Sequence, residues 1–259
     1  MNSNIPTDLH LQIRKIRNIE IWRSDLLSLI NGRQKIPSTP INAFGAQLQE
    51  YDQDRDYTIF SSWLGAFVSG EAKEGRAEGT FEEHTKAAVS ASIISVKSAN
   101  FVTQCPTDTL ETLLASREWI LPLCGGGSVL HWVLAWVDFG TSEIGMFDSV
   151  PELGSHSWAI PVRRQLNGLT LELIMSQVAL KVFERIRETL GAPKIDFEKW
   201  RQKVFYPSAL QRQMDGWACG LFLLMAMRAR AKKTGFECVI DDAKEEMREV
   251  VLEALLKLP

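Results

Sequence analysis

Four side chains in the second half of the chain have types and spacing that could support nucleophilic catalysis. The first is Cys219, in the string QMDGWACGLFLLM, where a Gly-containing turn leads into a long apolar run. Amides in the first turn of a helix lack partners within the helix, and together with the helix dipole they favour a thiolate over a thiol. Free cysteines are more often simply buried, so Cys219 needs further support to be assigned as a nucleophile.

His131 and Asp148 are candidate partners for this thiolate. His131 lies within the apolar strand HWVLAWVDF, where a histidine is costly unless another polar group pairs with it. Asp148 ends the next predicted strand, and an even-numbered loop such as FGTS would place both side chains on one face, whereas an odd loop would separate them. On one face, the carboxylate can orient the imidazole and stabilise its charged form. The alternative is a structural histidine and an Asp that caps a turn.

Gln213 precedes Cys219 by six residues, on the other side of the Gly-containing turn. Its side-chain amide could share with the backbone N–H of Cys219 the binding of a tetrahedral oxyanion. Taken alone, such a glutamine is more often a surface residue. His156, in the Gly/Ser-rich string ELGSHSWA, is the nearest competitor to His131, but its setting predicts an exposed loop.

The segments around these residues predict a central sheet. Consecutive strands are predicted from REWILPLC, SVLHWVLAWVDF and EIGMFDSV, and KVFYPSA could be an edge strand ended by Pro207. Apolar residues on nearly every face of CGLFLLMAMRARAKKTG predict a helix buried in the core. We therefore expect an α+β fold in which helices pack around a mostly antiparallel sheet.

Further helices are predicted before and after this sheet. They cover about residues 39–50, residues 107–116 with Thr107 or Asp108 as cap, the segment LTLELIMSQVALKVFERIRETLG closed by Gly191, and the final DDAKEEMREVVLEALLKL. The first thirty residues carry Ile and Leu at roughly helical spacing, with Asn31-Gly32 as a stop signal. The string YTIFSSWLGAFV predicts a strand that runs into a short helix.

Composition sets the class of protein. The 259 residues are 45% hydrophobic and 24% charged, which suits one substantial core, and the net charge of -3 argues against a dedicated nucleic-acid binder. The sequence has neither a secretory signal pattern nor an apolar run of the roughly 20 residues that span a bilayer, so we expect no membrane association and an intracellular protein of the nucleus or cytoplasm. Four scattered cysteines without a Cys-x-x-Cys pair argue against a disulfide framework or a zinc site.

Taken together, HWVLAWVDF, MFDSV and QMDGWACGLFLL resemble the His-Trp, Asp-Ser and Gln-x-x-Gly-x-x-Cys-Gly motifs of the ubiquitin-like-protein (SUMO/NEDD8-type) cysteine proteases, in the clan of the adenovirus-type proteases. Upstream, IPSTPINAFGAQLQ, YTIFSSWL and WILPLC are similar to that family's Ile-Asn helix and to two of its strands. The resemblance covers about residues 18 to 230. It implies a papain-like, adenain-like catalytic domain over 1–259, with residues 1–17 peripheral and 151–205 forming an enlarged helical insertion.

The resemblance also implies an activity, namely hydrolysis after the Gly-Gly tail of a SUMO-like or other ubiquitin-like modifier, in an isopeptide or a precursor peptide. It makes Cys219 the nucleophile, His131 the base, Asp148 its orienter and Gln213 an oxyanion donor. Trp132 would roof a narrow channel that admits only glycine, because a residue with a Cβ cannot pass beneath an indole ring close to the backbone. The implied partners are the modifier and its conjugates, with no metal or organic cofactor, and we expect a monomer.

Three features depart from the family's pattern. Lys35-Ile36-Pro37-Ser38 stands where a Trp-Leu-Asn-Asp-like sequence is usual, Ala218 stands where an Asp commonly precedes the nucleophile, and the stretch between Asp148 and Gln213 is longer than usual. Two other functions stay open. An acetyltransferase could use the same Cys/His site and would label with acetyl-coenzyme A, and a non-catalytic module could bind a ubiquitin-like protein, although such a module has no physical need to keep all four residues.

Overall fold

The structure is a computed structural model, and it describes ten stretches of the chain. These are residues 11–16, 19–52, 54–62, 110–125, 131–150, 180, 183–184, 187–188, 191–207 and 213–256. None of the helices in these stretches is long and apolar enough to cross a membrane.

A five-stranded sheet lies at the centre of this part of the chain. Its strands, in their order across the sheet, are β3 (Tyr57–Ile59), β4 (Glu118–Gly125), β5 (His131–Asp138), β6 (Glu143–Asp148) and β7 (Arg201–Phe205). The β4–β5 and β5–β6 pairs are antiparallel, whereas β3–β4 and β6–β7 are parallel. The sheet is therefore mixed, with the longer ladders antiparallel. The predicted consecutive strands are confirmed, and the segment expected to be an edge strand is one.

The β5–β6 hairpin decides which side chains share a face. Asp138 pairs with Glu143, so the loop between them is the four-residue FGTS. Five residues further along β6, Asp148 pairs with Val133, which places it diagonal to His131 on the same face of the sheet. Of the two loop lengths that the sequence left open, the even one is found, and His131 and Asp148 share a face as a result.

Helices bury the face of the sheet that carries the tryptophans of β5. Helix α4 (Cys219–Ala231) packs against β5, and its apolar residues form one core with Trp132, Leu134 and Trp136. The helices α2 (Ser38–Tyr51) and α5 (Lys244–Leu256) pack against α4 in turn. The expectations for all three helices are confirmed, including the nearly complete burial of α4.

The opposite face of β5 contributes to a second core. Val133, Ala135 and Val137 lie there. They pack in a cluster whose large members are Phe60, Trp119, Phe183 and Phe197. Because both faces of β5 are covered, every residue of the strand is buried, which explains its unbroken apolar sequence.

The N-terminal segment forms a hairpin where its Ile and Leu spacing indicated a helix. Its elements are β1 (Gln12–Ile16), β2 (Ile19–Trp22) and the short helix α1 (Arg23–Ile30). The helical interpretation of residues 12–22 is wrong because Ile19 and Ile21 are buried on either side of the exposed Glu20, a period of two. Helix α1 ends directly before Asn31-Gly32, as the stop signal predicted.

Two further helical predictions are met in part. The one over 107–116 appears as α3 (Leu110–Ala115), while its proposed caps lie outside the described residues. The end of the long helix is as expected, since Gly191 adopts a φ of 66° and the following amide donates to the Arg187 carbonyl oxygen at 2.9 Å. The start of that helix, residues 63–68 and His156 lie outside the described residues.

Candidate active site

Cys219 is the first residue of α4 and is buried. The turn before it is closed by Asp215, whose Oδ1 accepts the backbone N–H of Trp217 at 2.9 Å and that of Ala218 at 2.7 Å. Ala218, whose amide is the second of these two donors, directly precedes Cys219. The nucleophile candidate therefore stands at the N-terminal end of a buried helix, as its sequence predicted.

His131 and Asp148 are in direct contact. The Nε2 atom of His131 lies 2.7 Å from Oδ1 of Asp148, and both side chains are almost completely buried. The same carboxylate oxygen accepts the N–H of Val150 at 2.9 Å. The backbone that follows β6 thus holds the carboxylate, and the carboxylate sets the orientation of the imidazole.

The environment of His131 favours its charged form. Burial lowers the pKa of the imidazole, but hydrogen bonds and charge attraction from Asp148 and Cys219 outweigh it and raise the pKa to about 9. Because Nε2 faces Asp148, Nδ1 is the ring nitrogen left for the thiol. At neutral pH the site therefore holds an imidazolium that can pair with the sulfur of Cys219.

Gln213 is buried at the other end of the turn that leads to Cys219. The hydroxyl of Ser149 donates to its Oε1 at 2.8 Å, while its Nε2 donates to the carbonyl oxygen of Asp215 at 2.6 Å and to Oδ1 of Asp215 at 3.2 Å. Ser149 thus fixes which end of the amide faces the turn. Ser149 directly follows Asp148, so β6 contributes to both the His131 contact and the Gln213 contact.

Trp132 is held by the segment that departs from the family's pattern. Its indole N–H donates to the carbonyl oxygen of Ile36 at 3.0 Å, and the ring is almost completely buried. A Cβ added to Gly220 would lie 2.9 Å from Cβ of Ile36 and 3.5 Å from Cδ1 of Trp132. Ile36 therefore packs closely against the start of α4.

The structure brings together the residues that the sequence singled out. His131 links Asp148 to Cys219, and Ser149 joins the same strand to Gln213. Ser149 and Asp215 were not predicted from the sequence, although an Asp placed two residues before the amide that donates to it is a recognisable turn signal. Within the described residues, no group of three or more His, Cys, Asp or Glu side chains is placed to hold a metal ion.

Comparisons of sequence find no counterpart, because no protein-family model matches the chain and no curated protein matches it significantly. Comparisons of structure do. The SUMO protease Ulp1 with its catalytic cysteine oxidised to a sulfenic acid matches with a TM-score of 0.61 and 16% identity, over 94% of this chain and 87% of that one. The Ulp1-like SUMO protease catalytic domain of Chaetomium thermophilum matches with a TM-score of 0.51 and 15% identity, over 92% and 81%.

A third similar structure contains a bound modifier. It is the C-terminal protease domain of Ulp1 in complex with Smt3, the yeast orthologue of SUMO. The TM-score is 0.59 and the identity 17%, over 95% of this chain and 87% of that one. These matches show that the chain has the papain-like fold of the ubiquitin-like-protein cysteine proteases, and they confirm the fold predicted from the resemblance.

Proposed function

We propose that the protein is a cysteine peptidase that hydrolyses the bond after the Gly-Gly tail of a SUMO-like or other ubiquitin-like modifier. The observation that carries this proposal is the buried contact between His131 and Asp148, beside Cys219, which helps to raise the pKa of His131, at the start of α4. It occurs in a chain whose fold is that of SUMO proteases. A nucleophile, a base within hydrogen-bond reach and a group that orients the base are what covalent catalysis requires.

In the first half of the reaction, the Cys219 thiolate attacks the carbonyl carbon of the terminal glycine. The tetrahedral intermediate collapses when the bond to the leaving nitrogen breaks, and the His131 imidazolium gives its proton to that nitrogen. The products are a free amine and a thioester on Cys219. Burial and the contact with Asp148 keep the imidazolium available for this step at neutral pH.

In the second half, water attacks the thioester. His131, now neutral, accepts one proton from the water, and the bond between carbon and sulfur breaks to release the thiolate and the modifier acid, which gives the second proton to solvent and leaves as a carboxylate. The imidazolium is thereby restored. Asp148 holds Nε2 throughout, so that Nδ1 always faces the reacting atoms.

Both tetrahedral intermediates carry an oxyanion that needs hydrogen-bond donors. We assign this role to the backbone N–H of Cys219 and to Nε2 of Gln213. Nε2 donates to the Asp215 carbonyl oxygen at 2.6 Å and, over a longer 3.2 Å, to Oδ1 of Asp215; the substrate oxygen takes the place of Oδ1 at this longer contact. Ser149 prevents the amide from turning its oxygen toward the negative charge.

The substrate tail is selected by steric exclusion beneath Trp132. The indole ring is fixed by its hydrogen bond to Ile36, so the space below it cannot widen to admit a Cβ. The modifier and its conjugates are the partners, and the chain acts as a monomeric catalytic domain of the nucleus or cytoplasm, without a metal or organic cofactor. The bound Smt3 in the Ulp1 structure supports a modifier as the partner.

Turnover of modifier substrates tests the proposal. The purified protein is incubated with a panel of ubiquitin-like modifiers, SUMO included, each carrying a fluorogenic amide after its Gly-Gly tail. We expect hydrolysis of at least one, abolished in Cys219→Ala and retained in Cys238→Ala, which removes an exposed thiol that has no part in the proposed mechanism. Binding without hydrolysis by the folded protein would indicate a non-catalytic module, and labelling by acetyl-coenzyme A without hydrolysis would indicate a transferase.

A further inference from the structure

The turn before Cys219 is organised by a single carboxylate. We call residues 213–218 the nucleophile turn. Oδ1 of Asp215 accepts from the amides of Trp217 and Ala218 and lies 3.2 Å from Nε2 of Gln213. Any displacement of Asp215 would therefore move Gln213 and the backbone that leads to Cys219.

The other oxygen of Asp215 is held by the last helix. Nζ of Lys244, the first residue of α5, donates to Oδ2 of Asp215 at 2.9 Å, and it also lies 2.8 Å from Oδ1 of Asp241. The side chains of Lys244 and Asp215 are only 15% and 19% exposed, so solvent screens their attraction less than that of a surface pair. Burial raises the pKa of Asp215, but Lys244 and the turn amides outweigh it and lower the pKa.

Helix α5 also contacts the nucleophile turn through an aromatic ring. Nζ of Lys244 lies 5.1 Å from the centre of the Trp217 ring, and Cζ of Arg248 lies 5.4 Å from it. The Arg248 guanidinium is itself fixed, since it donates to the carbonyl oxygens of Leu29 at 2.8 Å and Gly32 at 2.9 Å. Helix α5 is thus anchored to the end of α1 and presents two cations to the turn.

We propose that Lys244 is a positioning residue for the oxyanion hole: by holding Asp215, it keeps the Gln213 amide and the Cys219 amide at the spacing that a tetrahedral oxyanion requires. This inference rests on the proposed function for the assignment of the two donors and extends it to a residue that touches neither substrate nor nucleophile. Lys244 contacts the nucleophile turn at Asp215 and at the Trp217 ring, and it acts on the two donors only through that turn. Its loss should therefore impair reactions that pass through an oxyanion and leave simple alkylation of the thiolate unchanged.

Two reactions of Cys219 separate these effects without any modifier. Acylation by p-nitrophenyl acetate forms a tetrahedral oxyanion, whereas alkylation by iodoacetamide displaces iodide at a saturated carbon and forms none. In Lys244→Met we expect the acylation rate to fall roughly 10- to 100-fold, less than the loss on removing an oxyanion donor outright. Alkylation should stay within about twofold, because the contact of His131 with Asp148 is untouched.

Three further variants separate positioning from a general structural role. Lys244→Arg keeps a donor for Asp215 and should restore most of the acylation rate. Asp241→Asn removes the other ion pair of Lys244 and should leave the acylation rate near that of the wild type. Lys244→Met added to Gln213→Ala should cost less than it does in the wild type, because one of the two donors that it positions is already absent.

The inference is overturned if acylation and alkylation fall together in Lys244→Met, or if neither falls. It is also overturned if acylation of the wild type does not exceed that of Cys219→Ala, since there would then be no oxyanion hole to position. Failure of the proposed function is seen separately, as an absence of modifier hydrolysis while the acylation results stand. The two ideas can therefore fail independently.

Discussion

His131 and Asp148 meet diagonally across the β5–β6 ladder, with Nε2 and Oδ1 2.7 Å apart. The diagonal arises because Asp148 pairs with Val133 and not with His131 itself. If the two residues were directly opposite each other, their Cβ atoms would be too close for the carboxylate and the imidazole to form this hydrogen bond without crowding. The diagonal leaves room for the hydrogen bond and keeps the other ring nitrogen for Cys219.

Substitution Asp148→Asn tests the contribution of this carboxylate. The amide keeps the shape of the side chain but loses the negative charge that favours the imidazolium. We expect kcat to fall by roughly 100-fold or more, since the matching change in Ser/His/Asp enzymes costs about 10⁴. Steady-state kinetics on the modifier substrate would measure it, and circular dichroism would check the fold. A variant as active as the wild type would show that Asp148 has no role in catalysis.

The pH dependence of hydrolysis should report the protonation state of His131. Because the pKa of the imidazolium is about 9, kcat should hold through neutral pH and decline as the pH rises through that value, where the leaving amine loses its acid. The acylation rate with p-nitrophenyl acetate should lack this decline, because p-nitrophenolate leaves without a proton. A decline with both substrates would point to a loss of structure and not of the acid.

The same pKa predicts how stability changes with pH. The folded value of about 9 lies above the ordinary 6.5, so the folded state binds the proton more tightly. The contribution of His131 is full below 6.5 and is lost as the pH rises through about 9, on the order of 3 kcal/mol. Urea unfolding across this range should show a steeper loss of stability in the wild type than in His131→Gln. Parallel losses would contradict the assignment.

Gly220 should be required for close packing at the start of α4. A Cβ there would lie 2.9 Å from Cβ of Ile36, too close without a shift of the backbone. We expect Gly220→Ala to lower the free energy of unfolding by about 1–3 kcal/mol, the usual cost of overpacking. Gly216→Ala is the matched control, because an added Cβ there meets nothing within 4 Å. Equal effects of the two substitutions on chemical denaturation would refute the packing argument.

The sequence predicted best where local patterns and long-range packing agree. The strand HWVLAWVDF, the even loop FGTS and the strand ending at Asp148 placed two catalytic candidates on one face, because a period of two and a loop length suffice for that inference. The N-terminal residues were predicted wrongly because their local pattern and their strand pairing disagree. Their isoleucines recur every three residues over part of the segment, which imitates a helix, whereas pairing between Gln12–Ile16 and Ile19–Trp22 decides the structure.

The residues that hold the site's side chains in place could not be predicted from the sequence. Lys244 follows Asp215 by 29 residues, and nothing in DDAKEEMREV indicates that its lysine contacts a distant turn. The same holds for Ile36, whose carbonyl oxygen accepts from Trp132 across 96 residues. Such contacts depend on how α2, α4 and α5 pack together. Motifs identify the reacting groups, whereas only the assembled fold shows what holds them.

The most direct test of the central claim is covalent capture of Cys219. The protein is mixed with ubiquitin-like modifiers that carry an electrophilic warhead at the end of the Gly-Gly tail, and adducts are measured by intact mass and peptide mapping. We predict one adduct per chain with at least one modifier, mapped to Cys219 and absent in Cys219→Ala. No adduct from a folded sample whose Cys219 still reacts with iodoacetamide, or an adduct only on another cysteine, would contradict the account.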